Sequence, residues 1–197
     1  MLTFDEAAHR YFWDGQPVPN VTSILAPLVS FDHIKPDVLE IARQKGVATH
    51  RMVELDCKGD LDEDTLPEWM RPALAQWRKF KAESDFVMSE SEHKVFHPVY
   101  KFAGTLDLRG TMRGNVVFID VKRSLAAGPV IGYQISAYEH AYNAQQSVKS
   151  KLAKRYALKL SEVGPYRLEE FKDESDFSVF LSCLTVYRAK QKINEAK

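Results

Sequence analysis

Asp120-Val121-Lys122 closes an apolar run, Val116-Val117-Phe118-Ile119. Alternate residues of a strand point the same way, so Asp120 and Lys122 share a face. Charges at the end of an apolar strand need partners. Asp107, at the end of the preceding strand-like run Gly104–Arg109, is the natural second carboxylate. Two carboxylates make a hard-oxygen site suited to Mg²⁺, which keeps waters and takes phosphate oxygens. A lysine beside them can orient a water or offset charge developing on a phosphate. Taken alone, D-x-K is a weak motif that far more often marks a solvated strand end closed by an ion pair.

Three further groups bear on that choice. Gln134 and Tyr138 stand four residues apart and so lie on one face of the helix that follows the D-x-K strand. They fit a site edge, or a core tyrosine with a glutamine at its border. His50 and Glu54 have the same spacing, in Lys45-Gly46-Val-Ala-Thr-His50 and onward. His50 fits a metal ligand or an ordinary helix histidine, and Glu54 belongs to an acidic stretch. Glu92, just before the first central strand, is a further candidate acid.

Elements that would position these residues can be laid out along the chain. Arg10–Trp13 and Gln16–Val18 flank Asp14-Gly15, a hairpin turn signal. Asn20 or Thr22 can cap a short helix through Leu25 that Pro27 stops. Helices are predicted over about 36–57 and 67–84. Gly46 either weakens the first of these or permits a close approach. Val95–Phe102, Gly104–Arg109 and Asn115–Lys122 form a predicted meander, with Val116–Ile119 central and buried on both faces. A helix over about 129–146, a strand over about 153–160, a short strand near Tyr166–Phe171 and a helix over about 174–194 complete the chain. The pattern predicts an α/β (α+β) fold with a mixed sheet flanked by helices.

Composition sets outer bounds. At 197 residues and 22.5 kDa, with 45% hydrophobic and 27% charged residues, the chain fits an ordinary globular protein able to bury a core. Cys57 and Cys183 suit neither a disulfide framework nor a zinc site. No apolar run approaches the ~18 residues of a membrane helix, and MLTFDEAAHR has no signal-peptide core, so a cytoplasmic protein without membrane partners is expected.

The residues taken in order carry a resemblance. G-x-x-x-H (Gly46, His50), an acid (Glu92), G-x-x-D (Gly104, Asp107), I-D-x-K (Ile119 to Lys122) and Q-x-x-x-Y (Gln134, Tyr138) resemble the RecB-type branch of the PD-(D/E)XK nuclease superfamily. His9-Arg10-Tyr11 with Asp14-Gly15, then Val21 to Leu25, are similar to small phage- or prophage-encoded members. The resemblance spans roughly residues 8–190. It implies one domain with a restriction-endonuclease-like core over 36–160, an N-terminal hairpin over 1–30, and a strand and helix over 161–197. It also implies Mg²⁺- or Mn²⁺-dependent DNA hydrolysis, with Asp107, Asp120, His50 and the Val121 carbonyl at the metal. Lys122 would be the catalytic lysine. Gln134 and Tyr138 would orient the site or contact DNA, and Glu92 is a looser match. The role implied is exonucleolytic DNA processing or recombination in a bacterial or phage-infected cell, with room for a phage recombination or replication partner protein. A sequence- or structure-specific endonuclease and a non-catalytic DNA-binding protein on the same fold remain open.

Net charge is zero, 27 basic residues against 27 acidic ones, which excludes the simplest nucleic-acid signal of a strongly basic chain. The zero is a cancellation. Val53–Glu68 holds seven acids and one lysine, net −6, while Lys122–Lys159 holds seven bases and one acid, net +6. Such runs are usually solvated faces. Here Lys149, Lys151, Lys154 and Arg155, with Lys159 after them, are expected to track DNA phosphates near the site.

Overall fold

The computed structural model describes residues 1–32, 34–146 and 153–196. A small antiparallel sheet opens the chain, with β1 (Leu2–Asp5), β2 (Arg10–Trp13) and β3 (Gln16–Val18) in that order. Asp14 and Gly15 both take positive φ, 47° and 77°, as a two-residue turn matched to strand twist requires. The expected hairpin is therefore present, and β1 adds a third strand to it. The short helix α1 (Val21–Leu25) is capped by Asn20, whose side chain accepts from the Ser23 N–H at 2.7 Å. Pro27 falls in the 3₁₀ turn that ends it.

Next come α2 (Pro36–Lys58) and α3 (Arg71–Ser84). Pro36 occupies the first turn of α2, and Gly59 (φ 75°) closes its end in the left-handed conformation. Gly46 meets no atom that a Cβ would approach, so it marks no close contact. The main sheet follows, ordered β4 (Val87–Phe96), β5 (Ala103–Met112), β6 (Asn115–Lys122), β7 (Lys154–Lys159) and β8 (Arg167–Phe171). Its strands pair antiparallel except β6 with β7, which run parallel across α4 (Pro129–Gln145). Helix α5 (Asp176–Glu195) ends the chain. The result is the expected mixed α/β architecture, with β6 at the centre.

The sheet separates two cores. On one face Val95, Leu106, Phe118 and Ala157 pack with residues of α1, α4 and α5. On the other Leu108, Val117, Ile119, Val121 and Leu158 pack with Met52 and Val53 of α2 and Trp77 and Phe80 of α3. The first central strand differs from expectation. It begins at Val87 and ends at Phe96, and residues 97–102 are its turn, where the His97 and Lys101 N–H groups bond to the Phe102 and His97 carbonyls. The segment Ser89–His93 escapes a strand pattern because β4 is a sheet edge with little apolar alternation. Glu92 therefore stands inside a strand, not ahead of one.

The small sheet is fastened to the large one. The Ala103 N–H donates to Pro19 O at 3.0 Å, Trp13 stacks on Phe96, and the Tyr11 hydroxyl lies 2.7 Å from Thr105 Oγ1.

Candidate active site

The site begins where β5 leaves β6. Backbone pairing between them runs from Met112–Asn115 to Leu108–Ile119 and stops there. The next strand N–H, that of Val121, is buried and must find another acceptor. Asp107 supplies it: its Oδ2 accepts from Val121 N at 2.7 Å. The side-chain alternation also breaks here, because Leu106 packs in one core and Leu108 in the other. Across β4, Glu92 lies between the Ser91–Leu108 and His93–Leu106 pairs with φ 48°. A left-handed glutamate inside a strand is strained, and such strain gathers where function over-determines the backbone.

Helix α2 brings His50 to this opening. Its Nε2 lies 2.7 Å from the Val121 carbonyl oxygen, so the Nε2–H donates and Nδ1 faces the acids. Nδ1 stands 3.5 Å from Asp107 Oδ2 and 3.7 Å from Glu92 Oε1. These are charge contacts, longer than good hydrogen bonds. Ligand atoms of His50, Glu92 and Asp107 all lie within 4.8 Å of one another. Two carboxylates and an imidazole whose other N–H is anchored on a backbone carbonyl fit a divalent cation. Val121 thus contributes through both backbone polar groups, its N–H to Asp107 and its carbonyl to His50. A small cleft at this point is lined by His50, Glu54, Ser91, Glu92, Asp107 and Val121. Glu54 is engaged in ion pairs with Arg51 and Lys58, both at 2.6 Å.

Asp120 and Lys122 stand beside that group, on the face of β6 that also carries Phe118. Lys122 Nζ is 2.6 Å from Asp120 Oδ2, a close ion pair. Asp120 is 1% exposed, and apart from Lys122 neither of its carboxylate oxygens meets a donor among the described residues. Burial pushes its carboxyl up to about 6, with Lys122 pulling down and Asp107 adding upward. Asp107 moves the other way. Burial raises it, but the charges of His50 and Lys122 and the Val121 N–H outweigh that and hold it below the usual carboxylate range. His50 loses to burial and gains more from Asp107 and Glu92, so its imidazole is held well above the ordinary value. Lys122 is likewise raised, because Asp120 and Asp107 outweigh its burial. Two neighbouring acids with displaced affinities of opposite sign are an arrangement typical of reacting sites.

Gln134 and Tyr138 come from α4, as their spacing requires, and bond to each other, Gln134 Nε2 donating to the Tyr138 hydroxyl at 3.0 Å. Burial raises the phenol well above 10, and the negative Asp120 and Asp107 add to it. Gly104 makes room for this tyrosine. Tyr11 reaches the same region through Thr105, and its phenol is raised by burial and by Glu92 and Asp107.

The basic residues expected to follow DNA fare differently. Lys149 and Lys151 lie outside the described residues. Lys154 is exposed but pairs with Val117, at the far end of the β6–β7 ladder from Lys122. Arg155 is buried. Its guanidinium bonds to Asp176 Oδ2 at 2.8 Å and to the Asp173 carbonyl at 2.7 Å, with Glu139 at 3.7 Å. It is a core ion pair and not a phosphate contact, which corrects the expectation. Lys159, of the same expected group, stands at the site end of that ladder, in register with Lys122. Lys45, Trp69, Arg123 and Glu162 gather near it and belong to no motif that sequence spacing could flag.

No family model and no curated protein matches this chain. Among solved structures, one described as the crystal structure of LHK-Exo in complex with dAMP aligns over 90% of this chain and 89% of that chain. The TM-score is 0.42 and the sequence identity 11%. No helix among the described residues is long and apolar enough to cross a membrane.

Proposed function

We propose that this protein is a divalent-metal-dependent deoxyribonuclease that hydrolyses phosphodiester bonds with water. The observation that carries the reading is the Asp120 carboxylate. It is buried, has Lys122 as its one donor among the described residues, and feels the charges of Asp107 and His50, which converge with Glu92. An ionised carboxylate buried with one cation at one of its two oxygens remains costly, and a metal ion would complete its surroundings.

Asp107, Asp120, His50 and Glu92 would hold Mg²⁺ or Mn²⁺, oxygen ligands suiting both and the imidazole favouring Mn²⁺. When bound, such an ion supplies Lewis acidity toward a phosphate oxygen and lowers the pKa of an attacking water. Lys122, kept protonated by Asp120 and Asp107, orients that water and offsets negative charge growing on the phosphate. Gln134 and Tyr138 border the site from α4 and position substrate or acids. Exonucleolytic action in phage or prophage DNA processing is the role that the motif order supports.

The deciding experiment is cleavage of end-labelled linear single- and double-stranded DNA in Mg²⁺, Mn²⁺ and EDTA. Metal-dependent degradation is expected, lost in Asp120→Ala and Lys122→Ala proteins that keep the parent's circular dichroism. Parent-rate digestion by either variant would overturn the mechanism. Covalently closed circular DNA should survive an exonuclease, so its linearisation would reassign the protein as an endonuclease.

A further inference from the structure

Two cations near the site share one carboxylate oxygen. Glu162 Oε1 takes Lys45 Nζ at 2.6 Å and Arg123 Nη2 at 2.7 Å. Both cations also lie over the Trp69 ring, Lys45 Nζ 4.9 Å and Arg123 Cζ 5.2 Å from its centroid. The ring holds them near one another by attraction to its π face. One acid against two bases leaves a positive excess. Glu162 takes one N–H of the guanidinium, that on Nη2. A guanidinium presents a planar fork suited to two oxygens of one anion, and a phosphate fills it where a single shared carboxylate oxygen does not.

The location adds a second constraint. Arg123 directly follows Lys122, and Lys45 precedes His50 by five residues on α2. The Lys122 carbonyl accepts from the Leu160 N–H at 2.8 Å, so the segment leading to Glu162 is fastened at the same strand end. The side chains of Lys45, Arg123 and Glu162 are 31%, 20% and 36% exposed, so the cluster meets solvent without lying loose on the surface.

We propose that Lys45 and Arg123 form a phosphate subsite beside the reacting group, holding a phosphodiester adjacent to the cleaved one. Glu162 is the internal anion that this phosphate displaces. The inference rests on the nuclease reading and adds to it the residues that grip the DNA backbone. It also gives Glu162 a restraining role, because bound DNA must first compete with a resident carboxylate.

The signs of two substitutions separate a subsite from a structural brace. Binding of a fluorescent DNA oligonucleotide to the full chain would be measured in Ca²⁺ and in EDTA across a range of salt. Arg123→Gln is expected to weaken binding by roughly three- to tenfold and to lower the salt slope by about 0.7–0.9, the loss of one phosphate contact. Glu162→Gln is expected to strengthen binding without lowering the slope. If both variants weaken binding, or neither changes it while the parent binds, the subsite is overturned and the cluster is a brace. Thermal melts of both proteins distinguish a folding failure, and Lys45→Gln then repeats the slope measurement at an independent residue. A parent that binds no DNA under any condition would overturn the nuclease reading itself, and the subsite with it.

Discussion

The ring of Tyr138 fills the space that a side chain on Gly104 would need. A Cβ at Gly104 would stand 2.4 Å from Tyr138 Cε1 and 3.1 Å from Cδ1, with Val21 Cγ2 at 3.4 Å on another side. The glycine of one short motif is thus the steric condition for the tyrosine of another. Contact between them ties the start of β5 to α4.

Gly104→Ala should therefore push α4 away from the sheet. Overpacking of this kind destabilises by about 1–3 kcal/mol. Cleavage should fall with it, as Tyr138 and Gln134 move. Denaturant unfolding of Gly104→Ala, Tyr138→Ala and the double variant tests the link. A coupling of about 0.5–3 kcal/mol between the two sites is expected, and simple additivity would refute it.

Asp107 has two duties that two substitutions can part. Asp107→Asn keeps an oxygen for the Val121 N–H and removes the charge, so the fold should persist while Mn²⁺ affinity measured by calorimetry drops. Asp107→Ala also orphans a buried N–H and should lose a further ~1–3 kcal/mol in urea unfolding. Equal stability of the two variants would show that the Asp107–Val121 bond holds nothing together.

Asp120 predicts a stability gained by disabling the site. Burial, opposed by Lys122 and aided by Asp107, raises its folded pKa to about 6, above the ordinary 3.8. The folded state thus binds the proton more tightly than the unfolded chain does. Its contribution is most favourable below pH ~4 and is lost as pH rises through about 6. Asp120→Asn, which cannot ionise, should melt above the parent at pH 7–8 in EDTA and lose that advantage near pH 4. Saturating Mn²⁺ should narrow the gap by stabilising only the parent. A parent that outlasts the variant at pH 8 in EDTA would contradict the assigned environment of this carboxylate.

Much of this was visible in the chain. Helix caps, the Asp-Gly turn, the buried central strand and the mixed sheet follow from local rules that the fold did not override. What sequence could not supply was direction and convergence. Arg155 sits in a basic stretch, yet its strand turns it inward to Asp176. Charge counted along a chain says nothing about which face a residue takes. Nothing in the spacing puts Glu92 inside a strand, because an edge strand with a polar side has no apolar rhythm. Lys45, Trp69, Arg123 and Glu162 come from four separate segments, and only the folded chain brings them together.

Val121 shows a different limit. Its position in D-x-K is the wildcard, and its side chain does no more than fill a core. Yet its amide N–H fixes one acid and its carbonyl fixes the histidine, so the letter that any pattern discards is the hinge on which the lettered residues hang. The constraint at that position falls on the path of the main chain. Comparison of side-chain identities is blind to it, and many apolar residues can stand there without disturbing what the backbone does.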